Sequence, residues 1–189
     1  MNYQIDYKPV DHSYSVNGQE KPSVNQILKA EGLLPDFNFY QAEYKRQLGT
    51  YVHTAIKLYF ENRLDEDSLS GEVKGYFEGF KKFHTDNPIN PFLVEKPLYS
   101  EKWGFCGTPD CWDNILYDWK CSASIYDFYY LTMAGYEILV EEYQDKMVKE
   151  VWLVQLSSNS YKIHKIKPDK QNFLAALKMY QYKQKRGLL

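Results

Sequence analysis

Apolar and polar positions alternate at the start of the chain, in Tyr3-Gln4-Ile5-Asp6-Tyr7 and again in Ser13-Tyr14-Ser15-Val16, and the turn dipeptide Asn17-Gly18 follows. A period of two predicts a small N-terminal hairpin. The period then lengthens. Ser23 with Gln26 makes a capping-box pair ahead of Val24, Ile27 and Leu28, which predicts a short helix ending near Gly32. Beyond Pro35 a helical pattern runs from Asp36 through Tyr44. Gly49 is expected to bend it before a stretch in which Val52, Ile56, Tyr59 and Phe60 share one face. Val73, Phe77, Phe80 and Phe83 predict a third helix over roughly residues 71 to 85.

The middle of the chain changes character. Residues 91–100, 103–113 and 114–122 are short aromatic and β-branched runs bounded by Pro, Gly and Asp-Asn, and they predict three successive strands. A helix is expected from about Tyr126 to Glu142. A hairpin then pairs the runs on either side of Ser157-Ser158-Asn159-Ser160. A last helix starts near Pro168, carries Leu174, Leu177 and Tyr180 on one face and ends in the basic tail Lys183, Lys185, Arg186. This order of elements predicts an α/β fold over residues 1–189 as a single domain, with a central mixed sheet flanked by helices.

Composition narrows the class. The 44% hydrophobic and 25% charged fractions exclude a disordered or collagen-like chain, and no apolar run is long enough to span a bilayer. The amino terminus has no secretory pattern, and Cys106, Cys111 and Cys121 fit neither a zinc knuckle nor a disulfide framework, so a cytoplasmic protein is expected. A formal net charge of -2 neither points to nucleic acid nor excludes it, because a local basic patch can coexist with a carboxylate cluster. The 18 tyrosines suit core packing and can also serve as base-stacking platforms.

The chemistry concentrates in Gly107-Thr108-Pro109-Asp110 and, after seven residues, Asp118-Trp119-Lys120. If these runs pair as antiparallel neighbours across a turn at Asp113-Asn114, both carboxylates meet at one end of the sheet. Alternation places Asp118 and Lys120 on one face and Trp119 on the other. Two carboxylates and an amine are costly to bury without a purpose, and a divalent cation supplies one through hard oxygen ligands. Lys120 can then orient or deprotonate a water, or stabilise charge growing on a phosphate. The ordinary alternative is a surface hairpin with an Asp-Lys pair of small energetic weight. Glu95 could add a third carboxylate. Gly107 leaves room for a phosphodiester backbone or simply marks a turn, and His53 is either a ligand or a structural histidine.

These residues resemble the PD-(D/E)XK nucleases, and in particular their RecB-like branch, which includes phage-type and recombination exonucleases. The branch's series runs Gly-x-x-x-His on an early helix, a strand Glu, Gly-x-x-Asp, Asp-x-Lys and Gln-x-x-x-Tyr. It is matched in order by Gly49 to His53, Glu95, Gly107 to Asp110, Asp118 to Lys120 and Tyr136. The likeness covers roughly residues 13 to 156. It implies a restriction-endonuclease-like core and a Mg²⁺ or Mn²⁺ ion held by His53, Asp110, Asp118 and the backbone carbonyl of Trp119, with Glu95 assisting. It also implies a catalytic Lys120 and hydrolysis of DNA phosphodiester bonds. Tyr136 stands at the DNA-positioning tyrosine, whereas Thr132 replaces the glutamine with a shorter group. Arg46 and the basic tail are candidate phosphate contacts.

An iron-sulfur cluster is not expected, since three late cysteines are lacking, and no nucleotide-binding loop is present. The expected activity is an exonuclease on linear DNA, acting in recombination, repair or phage DNA processing inside a bacterial or phage-infected cell. A single-strand annealing protein or a separate helicase is the partner the likeness suggests, and an oligomer is compatible with it. A junction or flap endonuclease of the same fold is the first alternative, and a non-catalytic nucleic-acid-binding module the second.

Overall fold

The computed structural model describes residues 3–9, 12–35 and 40–189. The chain opens with strands β1 (Ile5–Lys8), β2 (Ser13–Val16) and β3 (Gln19–Lys21), which form an antiparallel sheet. The predicted hairpin is therefore extended by a third strand beyond the Asn17-Gly18 turn, where both residues have positive φ. Helix α1 (Val24–Ala30) follows, and its capping box is formed as expected: the Ser23 side chain accepts from Gln26 N while the Gln26 side chain accepts from Ser23 N.

Helix α2 (Tyr40–Phe60) runs without interruption through Gly49, contrary to the expected bend. Leu48, Val52, Ala55 and Ile56 are buried along one side, and this anchorage outweighs the roughly 1 kcal/mol that glycine costs a helix. The part of the pattern expected over Asp36 to Phe39 lies outside the described residues. Helix α3 (Gly71–Asp86) buries Phe77, Phe80 and Phe83, the face read from the sequence.

The three strands expected in the middle of the chain are five: β4 (Leu93–Val94), β5 (Leu98–Ser100), β6 (Phe105–Gly107), β7 (Cys111–Trp112) and β8 (Ile115–Lys120). The break between β4 and β5 spans Glu95, Lys96 and Pro97, and Thr108, Pro109 and Asp110 separate β6 from β7; prolines cannot donate to a ladder. The pieces divide between sheets. β5 and β6 pair as a ribbon, while β4, β7 and β8 join β9 (Glu150–Ser157) and β10 (Ser160–Ile166) in a five-stranded mixed sheet of order β10-β9-β8-β7-β4. Within the five-stranded sheet, as far as the described residues go, the β8–β9 pair alone is parallel, and helix α4 (Phe128–Gln144) makes that crossover. Helix α5 (Lys170–Lys185) closes the chain.

Alternation along the central strands sorts the core. Leu116, Val151 and Leu153 pack with α1, α4 and α5, whereas Tyr117, Trp119, Trp152 and Val154 pack with α2 and α3 on the other face. Asp118 and Lys120 therefore point to the α4 side, and His53 approaches the same strand from the α2 side. Among the described residues, no helix is long and apolar enough to cross a membrane.

Candidate metal centre

The register Cys111↔Tyr117 and Trp112↔Leu116, continued by one step, sets Asp110 opposite Asp118, with Asp113 and Asn114 in the turn as expected. Asp110 is tied on both sides: its Oδ2 accepts from the Trp119 amide at 2.7 Å, and its backbone carbonyl accepts from the Glu95 amide at 2.9 Å. The second bond fixes Glu95 just past β4 with φ of 43°, a left-handed conformation that a non-glycine residue adopts at a cost of about 1–3 kcal/mol. The strained turn aims the Glu95 carboxylate at α2, where His53 waits.

His53 joins the parts. Its Nδ1 lies 3.1 Å from Glu95 Oε1 and 3.5 Å from Asp110 Oδ2, and its Nε2 lies 2.9 Å from the Trp119 carbonyl oxygen. Ligand atoms of His53, Glu95 and Asp110 all fall within 4.8 Å of one another. Asp118 is not part of this trio. Its Oδ2 is ion-paired with Lys120 Nζ at 2.5 Å. Lys120 Nζ also lies 4.4 Å from the centre of the Tyr129 ring.

The electrostatics describe a site short of positive charge. Burial alone would lower the His53 pKa, but the Asp110 and Glu95 carboxylates reverse this and hold it well above the ordinary histidine value. Burial raises Glu95, and the neighbouring Asp110 adds to the rise. Asp110 is pushed up by burial but ends below its usual value because His53, Lys120 and the Trp119 amide favour its anion. Asp118 is pushed up to about 6 by burial, against the pull of Lys120. Burial works against the Lys120 ammonium, and Asp118 and Asp110 more than restore it.

A hard divalent cation fits this donor set. Three side chains converge, two of them carboxylates, and the buried Asp118 carboxylate, paired with Lys120, lies across the strand pair from Asp110. His53, Glu95 and Asp110 would hold the ion, and the Trp119 carbonyl stands at the other ring nitrogen of His53.

The remaining expected residues are placed as follows. Tyr136 packs on Gly107, where an added Cβ would come within 2.9 Å of Tyr136 Cε1 and 2.8 Å of Leu139 Cδ1. Gly107 is buried, so its missing side chain admits α4. Burial and the nearby Tyr14, Asp110, Asp118 and Glu95 hold the Tyr136 hydroxyl well above its ordinary pKa, as a donor. The Thr132 hydroxyl donates to the Phe128 carbonyl one turn back in its own helix and is buried. Arg46 is exposed and paired with Glu43 at 2.6 Å, and Lys183 is held by Glu31 at 2.8 Å. Two partners escaped sequence reasoning. The Tyr14 hydroxyl meets Thr108 Oγ1 at 2.8 Å across 94 positions, which no local pattern signals; Tyr129 stands in an aromatic run directly after the Asp118-Lys120 strand, a signal that could have been used.

No family model and no curated protein matches this chain.

Proposed function

We infer that this chain is a divalent-metal-dependent deoxyribonuclease with a restriction-endonuclease-like core, hydrolysing DNA phosphodiester bonds as an exonuclease on linear DNA. The observation that supports the reading is the convergence of His53 on α2, Glu95 just past β4 and Asp110 just before β7, beside the buried Asp118–Lys120 pair of β8. A bound Mg²⁺ or Mn²⁺ would supply Lewis-acid charge to a phosphate; carboxylate oxygens suit either, and the imidazole extends the range toward Mn²⁺. The chain's own groups do the rest. Asp110 and Glu95 hold the negative charge that draws the cation in, and the Trp119 amide keeps Asp110 oriented. Lys120, an ammonium steadied by Asp118, offers hydrogen bonds to an attacking water or to the phosphate oxygens as charge builds on them. The Tyr136 hydroxyl, kept protonated by burial and by the nearby carboxylates, remains able to donate.

The substrate class is tested by incubating the protein with end-labelled linear duplex, single-stranded and closed circular DNA in Mg²⁺, Mn²⁺ or EDTA. Metal-dependent loss of the linear substrates with circles spared supports the exonuclease. Cutting of circles reassigns the protein to the endonucleases of the same fold, and binding without cleavage in either metal reassigns it to a binding module.

A further inference from the structure

The ammonium of Lys120 has a second neighbour besides Asp118. Its Nζ lies 4.4 Å from the centre of the Tyr129 ring, which stands in the first turn of α4. A lysine stem is flexible, and an ion pair to one carboxylate on the same strand face leaves the ammonium free to swing about it. A second contact removes that freedom. The Tyr129 side chain is itself held. Its hydroxyl donates to Ser122 Oγ at 3.3 Å, and the Phe128 ring meets it edge-on with centroids 4.4 Å apart. Ser122 lies just past the end of β8 and is tied down in turn: its Oγ donates to the Ser124 carbonyl at 2.8 Å, and its carbonyl accepts from Gln155 Nε2 of β9 at 2.8 Å. The ring that faces Lys120 is thus fastened to the same strand end that carries Lys120.

We propose that Tyr129 is a positioning residue for the hydrolysis, holding the Lys120 ammonium against its ring in the place from which Lys120 serves the attacking water or the phosphate. The inference rests on the nuclease reading. An aromatic face attracts a cation through its quadrupole while carrying no net charge. A carboxylate in the same place would add to the charge of Asp110 and Asp118 and repel a phosphate. The ring face also claims no proton from the ammonium, so the N–H groups that Asp118 does not use stay available to donate. Tyr129 therefore acts through Lys120, by fixing where its charge and its donors sit.

The experiment measures steady-state hydrolysis of linear DNA by the full chain in Mn²⁺, together with Mn²⁺ affinity in the absence of DNA. Wild type, Tyr129→Phe, Tyr129→Leu and a series with successively fluorinated phenylalanines at position 129 are compared. Tyr129→Phe keeps the ring and is expected to stay near the wild-type kcat. Tyr129→Leu removes it and is expected to lower kcat roughly five- to thirtyfold, with KM and Mn²⁺ affinity unchanged. Fluorine draws electron density from the ring face at nearly constant shape, so kcat should fall stepwise along the series, a response that packing alone does not give. This series decides the matter if Tyr129→Leu fails to fold. A flat series overturns the proposal. So does a raised KM at unchanged kcat, because Tyr129 would then be a DNA contact and not a support for Lys120. If wild type hydrolyses no DNA in Mn²⁺, both this proposal and the nuclease reading fall. An active wild type whose kcat is matched by Tyr129→Leu sinks this proposal alone.

Discussion

The imidazole of His53 faces the backbone carbonyl of Trp119, with Nε2 2.9 Å from the oxygen across 66 positions of chain. A carbonyl only accepts, so Nε2 carries a proton. The other nitrogen faces the carboxylates of Glu95 and Asp110. With acceptors on both sides the ring is an imidazolium, and its charge occupies the place that a cation would take.

Metal binding must therefore expel a proton. Calorimetric titration of Mn²⁺ at pH 7 in buffers of different ionisation enthalpy is expected to show about one proton released, with affinity rising as pH increases. Asp110→Asn should weaken Mn²⁺ by on the order of 10- to 100-fold. Binding that is independent of pH, with Asp110→Asn behaving as wild type, would place the ion elsewhere.

Stability without metal should fall as pH rises. His53 has a folded pKa above its unfolded value, so its contribution is complete below about pH 6.5 and is lost as pH climbs through the raised value. Asp118, raised to about 6, acts in the same direction between its unfolded value and that pH, because the folded state holds the proton more tightly. Asp110 acts oppositely: its lowered pKa gives stability present above the unfolded value and lost as pH falls through the folded one. Urea midpoints in EDTA should thus decline from pH 6 to pH 9, and His53→Gln should flatten the decline. A midpoint that rises over this range contradicts the account.

Lys120→Met leaves the Asp118 carboxylate buried beside Asp110 without its cation. Breaking a buried pair on one side costs about 3–5 kcal/mol. Denaturation at pH 8 is expected to show a loss of this order, smaller at pH 5 where Asp118 takes up a proton. An equal loss at both values would mean that the ammonium contributes packing alone.

Two glycines differ in what a methyl group would strike. At Gly79 an added Cβ lies 2.5 Å from the backbone oxygens of both Ser157 and Ser160, where α3 crosses the β9–β10 hairpin. At Gly107 it meets side-chain ends on Leu139 and Tyr136, which can shift. Gly107→Ala should cost about 1–3 kcal/mol, and Gly79→Ala more. Chemical denaturation of both variants checks the order.

Much of this was legible in the sequence where the cause is local. The Ser23–Gln26 box, the apolar face of α3 and the pairing of Asp110 with Asp118 across the Asp113-Asn114 turn all follow from spacing within a few residues. What failed was decided at a distance. Gly49 signals a bend, but the burial of Val52 and Ile56 keeps α2 continuous. The run from Pro91 to Ser100 looks like one strand, but the halves on either side of Glu95 and Pro97 pair in different sheets. The left-handed turn at Glu95 goes with a bond from its amide to the carbonyl of Asp110, a partner far along the chain.

The central claim is tested most directly by following the release of label from end-labelled linear DNA in Mg²⁺ and in Mn²⁺, with wild type, Lys120→Ala and Asp110→Asn side by side and EDTA as the blank. The account predicts metal-dependent degradation by wild type and a loss of at least a hundredfold in both variants, each still folded by circular dichroism. Equal activity in all three proteins, activity that survives EDTA, or a wild type inert in both metals would contradict it.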